Sequence, residues 1–187
     1  ARVYTATTPL VYNNAHDLTI NGKQITGGTI PCITLNNCRN IHITNCKLVN
    51  SKDVGIKLFG CSNIMIDYTY ISNVSTGVYA ISCSQVQVKN NKMLNMVGPM
   101  PRGQFVQFNQ VTGSGNRILN TRFENVPGQS NTEDAVNLWK CNGTAADPIR
   151  VTGIWIRGGG ASSRGGALNL EEGGGTYQTA RYNTLFC

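Results

Sequence analysis

The sequence predicts an all-β chain wound as a parallel β-helix solenoid of about seven coils. Three observations carry that expectation: a doubled repeat, an apolar alternation of period two, and repeats too short to hold a helix. The first repeat is an apolar pair two residues apart, a small or Asn-like residue two further on, and an apolar residue three beyond. It reads Leu18, Ile20, Gly22, Ile25; Ile41, Ile43, Asn45, Leu48; Ile64, Ile66, Tyr68, Ile71; and Val86, Val88, Asn90, Met93. Looser copies start at Asn116 and Ile149, and a degraded one reads Thr179, Arg181, Asn183, Phe186. Interleaved with it, Ile33, Leu35, Cys38 recurs through Ile56, Leu58, Cys61 and Val78, Ala80, Cys83 as far as Val136, Leu138, Cys141 and Leu168, Leu170, Gly173.

The first repeat advances by 23, 23, 22, 30, 33 and 30 residues and the second by 23, 22, 28, 30 and 32. Such periods belong to solenoids or propellers, and the alternation is that of strands with one buried face. One strand spacing of rise per coil, roughly 4.8 Å, gives a rod of about 34 Å. Inward aliphatic residues contribute about 1.5 to 3 kcal/mol each when fully buried, enough for one domain over residues 1–187 with short coils at 10–93 and longer-looped coils at 94–187. No apolar run approaches the roughly 18 residues of a membrane span. The chain begins at Ala1 without a signal-like segment, the expectation being a processed product or an excised piece.

Register then assigns most reactive side chains to architecture. Cys38, Cys61, Cys83 and Cys141 share one inward position and are expected to stack as small hydrophobes. Cys32, Cys46 and Cys187 lie outside that ladder, and the odd total of seven leaves a free thiol. Asn45, Asn90, Asn120 and Asn183 share a bend position, where Asn tolerates the left-handed conformation and can bond to its neighbours above and below. His16 and His42 are isolated, so neither a metal nor another cofactor is expected.

The segments CRNIHITNCKL, CSNIMIDYTYI and CSQVQVKNNKM resemble the right-handed parallel β-helix superfamily of pectate lyases, polygalacturonases and alginate epimerases. The stretch from NTEDAVNLW to GGALNL is similar to bacterial right-handed β-helix repeat proteins without an assigned activity. The resemblance implies right-handed winding, a polysaccharide partner and an extracellular or cell-surface setting. If the chain is an enzyme, it implies a polysaccharide lyase, glycoside hydrolase or epimerase. Polygalacturonase-like enzymes open one strand with an Asp pair and the corresponding strand of the next coil with Gly-His-Gly. Here those positions hold Glu133, Asp134 and Arg164, Gly165, Gly166. The histidine is missing and no Arg-Ile-Lys follows, nor is there an Asp-Pro-His-Asp motif or an aspartate cluster for calcium. Asp134, Glu133 and Arg164 are the catalytic candidates, although fold alone does not fix activity.

Spacing argues against a two-carboxylate pair. Glu171 falls five strand positions beyond the counterpart of Asp134, roughly 17 Å at about 3.3 Å per residue, whereas glycosidase pairs need about 5 to 10 Å. Glu133 and Asp134, if extended, point to opposite faces. Arg102 and Arg164 stand equivalently on two coils, about 10 Å apart with the acidic pair between them. That arrangement is either a surface ion network or a site for an anionic sugar, since guanidinium grips carboxylate bidentately. Tyr79, Gln107, Asn137 and Asn169 form one outward row, and Phe59, Ile81, Asn109, Trp139 and Glu171 the next. Arg102, Gln107, Asn137, Trp139, Asn169, Glu171 and Tyr79 are therefore the candidate substrate contacts, with Trp139 either meeting sugar or packing under a loop.

A net charge of +7 favours an acidic partner. The sixteen basic residues are scattered without a cluster or motif for nucleic acid. The outward rows are too mixed for ice binding. The functional expectation is thus a carbohydrate-binding or carbohydrate-processing β-helix acting on an acidic extracellular polysaccharide, the alternatives being a noncatalytic adhesive module or an atypical lyase or hydrolase. Two glycosylation sequons, at Asn73 and Asn142, matter only in a eukaryotic secretory pathway. The degraded last repeat places Thr179 and Arg181 where aliphatics belong, so that end frays, self-associates with another rod end, or continues in a longer solenoid.

Overall fold

The computed structural model describes residues 2–159 and 165–186. Its strands form three sheets, and each strand lies parallel to its counterpart one coil away. Sheet A has eight strands, running from Thr5–Thr7 to Thr184–Phe186. Sheet B has seven, from Leu10–Asn13 to Leu168–Glu172, and sheet C seven, from His16–Asn21 to Gln178–Arg181. The chain passes B, C, A in every coil, so the expected seven-coil parallel β-helix is what forms.

The corners explain how coils of 22 or 23 residues close. Between sheets C and A, Gly22, Asn45, Tyr68, Asn90, Asn120, Gly153 and Tyr182 all have positive φ, and Gly28, Asn50, Asn73 and Asn95 do so near the ends of the sheet A strands. A left-handed residue costs roughly 1 to 2 kcal/mol for most side chains, and Asn lowers that cost by bonding to its neighbours. Asn40 Nδ2 donates to Asp17 Oδ1 at 2.8 Å and Asn63 Nδ2 to Asn40 Oδ1 at 2.9 Å, one coil after another. Asparagine stacking therefore occupies several corners instead of one.

Inside, the ladder cysteines Cys38, Cys61, Cys83 and Cys141 are buried with the aliphatic rows, as are Cys32 and Cys46; Cys187 lies outside the described residues. Where the coils lengthen, larger side chains fill the wider section, with Phe105 stacked on Phe123 at 4.7 Å between ring centroids. Asn116 occupies an inward position yet is satisfied, accepting from Val86 N at 2.9 Å and donating to Gly113 O.

Register corrects two expectations. In the last coil Ile149 pairs with Gln178 and Val151 with Ala180, so the inward residues are Gln178 and Ala180, not Thr179 and Arg181. Tyr182 takes the bend and Leu185 sits opposite Ile156, leaving Asn183 to cap Ile154 N at 3.0 Å and Phe186 outward. In sheet B the strand Leu168–Glu172 carries a bulge: Asn137 faces Asn169, but Trp139 faces Glu172. Glu171 is thrown into positive φ, and Gly175, not Gly173, stands next to Cys141.

The added length of the later coils falls mainly in the turns from sheet A to sheet B, within 97–105, 125–135 and 158–167. Their described residues bond from one turn to the next: Gln104 Nε2 donates to Glu133 Oε2 at 3.0 Å, and Gly166 N to Asp134 Oδ1 at 2.8 Å. Together they raise one wall along sheet B.

Candidate functional site

The outer face of sheet B is where the chemistry collects. Tyr79, Gln107, Asn137 and Asn169 stand side by side on successive strands, followed along the strands by Ile81, Asn109, Trp139 and Glu172. The wall of turns brings Arg102 and Glu133 over them, enclosing an open groove of about 230 Å³ between Tyr79, Arg102, Glu133, Trp139 and Glu172. Arg164 lies outside the described residues.

Arg102 lies flat on the Tyr79 ring, 4.1 Å from its centroid, and donates to Gln107 Oε1 and to the Tyr79 hydroxyl. The guanidinium is thus stacked and hydrogen-bonded by neutral groups and held in place before any ligand arrives. Glu133 accepts from Gln104 Nε2 at 3.0 Å. Burial raises the Glu133 carboxyl above its ordinary value, and the negative charges of Asp134 and Glu172 push the same way against Arg102.

Asp134 is buried. Its Oδ1 accepts from Gly166 N at 2.8 Å and its Oδ2 from Asn137 Nδ2 at 2.7 Å. Glu172 Oε2 accepts from the same Asn137 nitrogen at 2.6 Å and from Asn169 Nδ2 at 3.0 Å. Asn169 also reaches Asp134 Oδ2 at 3.3 Å. Two carboxylates therefore share two amide donors, and their oxygens lie no further apart than two hydrogen-bond lengths. With its amide nitrogen turned to the acids, Asn137 presents an Oδ1 that is buried and has no partner.

Asp134, Glu133, Arg102, Gln107, Asn137, Trp139, Asn169 and Tyr79 are brought together as the rows predict, but Glu171 is not. The bulge turns Glu171 away, its backbone N–H capped by Gln178 Oε1 at 2.8 Å, and puts Glu172 in its place. For the same reason two carboxylates come closer than backbone steps along an unbroken strand would place them: Glu172 and Asp134 reach the same amide through their side chains. Nor do Glu133 and Asp134 diverge: Asp134 lies beneath the groove and Glu133 at its rim. Glu172 escaped the row count because the run Glu171 to Gly175 contains no apolar residue to set its phase; the three glycines were the signal of an irregular strand.

Other reactive groups stay apart from this site. Burial pushes the thiols of Cys32 and Cys141 up to about 11, which suits packing and not nucleophilic attack. On sheet C, His42 is not isolated: its Nε2 is 2.8 Å from Asp67 Oδ1. Among the described residues no group of three or more His, Cys, Asp or Glu is arranged to hold a metal ion, and no helix is long and apolar enough to cross a membrane.

Comparison with known proteins gives one family result. A family model described as a right handed beta helix region matches residues 10–163. No curated protein and no solved structure gives a match.

Proposed function

We propose, from the premise that the chain belongs to the right-handed β-helix family, that the sheet B groove binds a strand of extracellular polysaccharide and acts on it through its carboxyl groups. The observation that carries this reading is the partnerless Oδ1 of Asn137, a residue that lines the groove. A buried acceptor without a donor costs about 1 to 3 kcal/mol, a cost that a ligand hydroxyl removes. Sugars supply hydroxyls in register with apolar C–H faces, and Tyr79 and Trp139 line the same groove.

Charge refines the ligand. Three carboxyl groups, Glu133, Asp134 and Glu172, surround the groove against Arg102, whose guanidinium is already engaged by Tyr79 and Gln107. The groove thus favours hydroxyl-rich rings over carboxylates, and the acidic preference expected from net charge has to come from another face. For action on the sugar, Glu133 holds its proton to a higher pH than an ordinary carboxyl, as a general acid requires.

A glycan array tests binding, and a reducing-end assay tests action. Wild type is expected to bind a polysaccharide, with Trp139→Ala losing at least tenfold in affinity while keeping its unfolding temperature. Glu133→Gln should keep binding and lose product. Absence of any glycan ligand overturns the reading, and binding without product in the wild type reduces it to a binding module.

A further inference from the structure

We propose that the outer face of sheet A is a second binding surface, made for a linear acidic polysaccharide lying along the rod axis. It does not depend on the groove. Strand register sets Lys47 beside Tyr70, Tyr70 beside Lys92, Lys92 beside Arg122 and Arg122 beside Trp155, five consecutive coils in one row. The residues that follow them in sequence, Leu48, Ile71, Met93, Phe123 and Ile156, are fully buried, so the row itself faces outward. Lys92 and Arg122 are exposed, and the other three half-exposed.

This row gathers charges that lie 30 and 45 residues apart in the sequence. With Arg157, one outward step beyond Trp155, the strands of sheet A carry four outward cations against the single acid Glu124. Glu124 is bound at 3.3 Å by both Arg122 and Arg157. Among the described residues neither Lys47 nor Lys92 has an acidic partner. Lys92 and Arg122 sit directly opposite one another, about one strand spacing of 4.8 Å apart. Like charges so placed destabilise a sheet, a cost that an anionic ligand turns into attraction.

The remaining features select the ligand. The Trp155 ring lies under the Arg122 guanidinium, 4.2 Å away, and holds that charge on the row. At the other side of Lys92 the N-terminal arm returns, with Arg2 donating to the Tyr68 carbonyl, to close an open pocket of about 350 Å³ between Arg2, Tyr4, Tyr70 and Lys92. The row therefore meets anionic groups at intervals of one or two coil rises, the scale on which a polymer with one carboxylate per sugar ring repeats. Single-stranded nucleic acid fits less well. It needs successive aromatic platforms, and within the row one face of Trp155 is covered by Arg122 while its ring also abuts Phe186 at 5.4 Å, leaving Tyr70 as the row's one uncovered ring.

The test uses the whole chain and three probes: polygalacturonate, uncharged dextran, and an oligothymidylate. Wild type is expected to bind polygalacturonate with an affinity that falls steeply as salt rises, because each neutralised charge releases a counterion. The Lys47→Gln, Lys92→Gln, Arg122→Gln triple variant should lose at least tenfold and flatten the salt dependence, while Trp139→Ala in the groove leaves it unchanged. Unaltered unfolding of the triple variant shows that the loss is not misfolding; Lys92→Gln alone, with a smaller loss in the same direction, serves if the triple variant fails to fold. The proposal is overturned if the charge variants bind as wild type does, if Trp139→Ala abolishes polygalacturonate binding, or if oligothymidylate binds as tightly. Failure of the groove reading would leave all of these outcomes as they stand.

Discussion

Replacing Asn137 by Ala should destabilise the chain by about 2 kcal/mol near neutral pH. Its amide nitrogen donates to Asp134 Oδ2 at 2.7 Å and to Glu172 Oε2 at 2.6 Å. Hydrogen bonds to charged groups contribute about 1.5 to 3 kcal/mol each; Glu172 is partly solvated, so its bond falls at the low end. Both acids keep Asn169, and Asp134 keeps Gly166 N, so neither is stripped bare. Against a gross loss of about 3 to 5 kcal/mol stands the removal of the partnerless Oδ1, which returns about 1 to 3 kcal/mol. Urea denaturation followed by circular dichroism measures the difference, read as a shift in midpoint at unchanged slope. A variant as stable as wild type near pH 7 would refute the shared-donor account. A loss of the same size in an Asp134→Asn, Glu172→Gln background would show that it comes from packing and not from the carboxylates.

Glu133→Gln tests the electrostatics of the rim. Because burial and two neighbouring acids raise the Glu133 carboxyl, the folded chain holds its proton at a pH where the unfolded chain has lost it. The stability that this group contributes is complete below its unfolded value and declines as pH rises through its raised folded value. The variant should accordingly gain on wild type from mildly acidic towards neutral pH and level off; a difference that is flat or reversed over that range refutes the assignment. Gly77→Ala probes the coil stacking. A Cβ there would stand 2.8 Å from Met93 Sδ and closer still to the Phe105 carbonyl, an overpacking that costs about 1 to 3 kcal/mol. Calorimetry should show a lowered unfolding temperature, and an unchanged one would mean that the coils are looser than their register implies.

What was legible in the sequence followed from apolar phase. Ile41, Ile64 and Val86 recur at 22 or 23 residues because each must stack on the last, and any slip would turn a whole strand inside out. The groove was legible to the same extent, since Gln107, Asn137 and Asn169 are outward neighbours of residues whose phase was certain. Phase is lost where apolar residues run out. Nothing apolar discriminates between Glu171 and Glu172, and the chain resolves the choice by a bulge that the three following glycines permit. In the last coil the small Ala180 gives no stronger inward signal than its neighbours, and a one-residue slip went unseen. The cation row of sheet A was hidden for a different reason. Lys47, Lys92 and Arg122 look scattered along the chain and become a row only once coils of unequal length are laid in register.

That row alters what the net charge of +7 means. Exposed charges are screened over about 8 to 10 Å at ordinary ionic strength, so faces on different sides of a rod act as separate electrostatic surfaces. The total therefore specifies no ligand for the groove, where Glu133, Asp134 and Glu172 outnumber Arg102. Within the groove the same shielding matters in reverse. Glu133 is partly withdrawn from water and close to two acids, and these hold its proton against the pull of Arg102. Asp134 and Glu172 instead present oxygens already oriented by Asn137 and Asn169. A carboxyl raised like that of Glu133 is what a general-acid role requires, and the cations of sheet A stand on a different sheet from the groove.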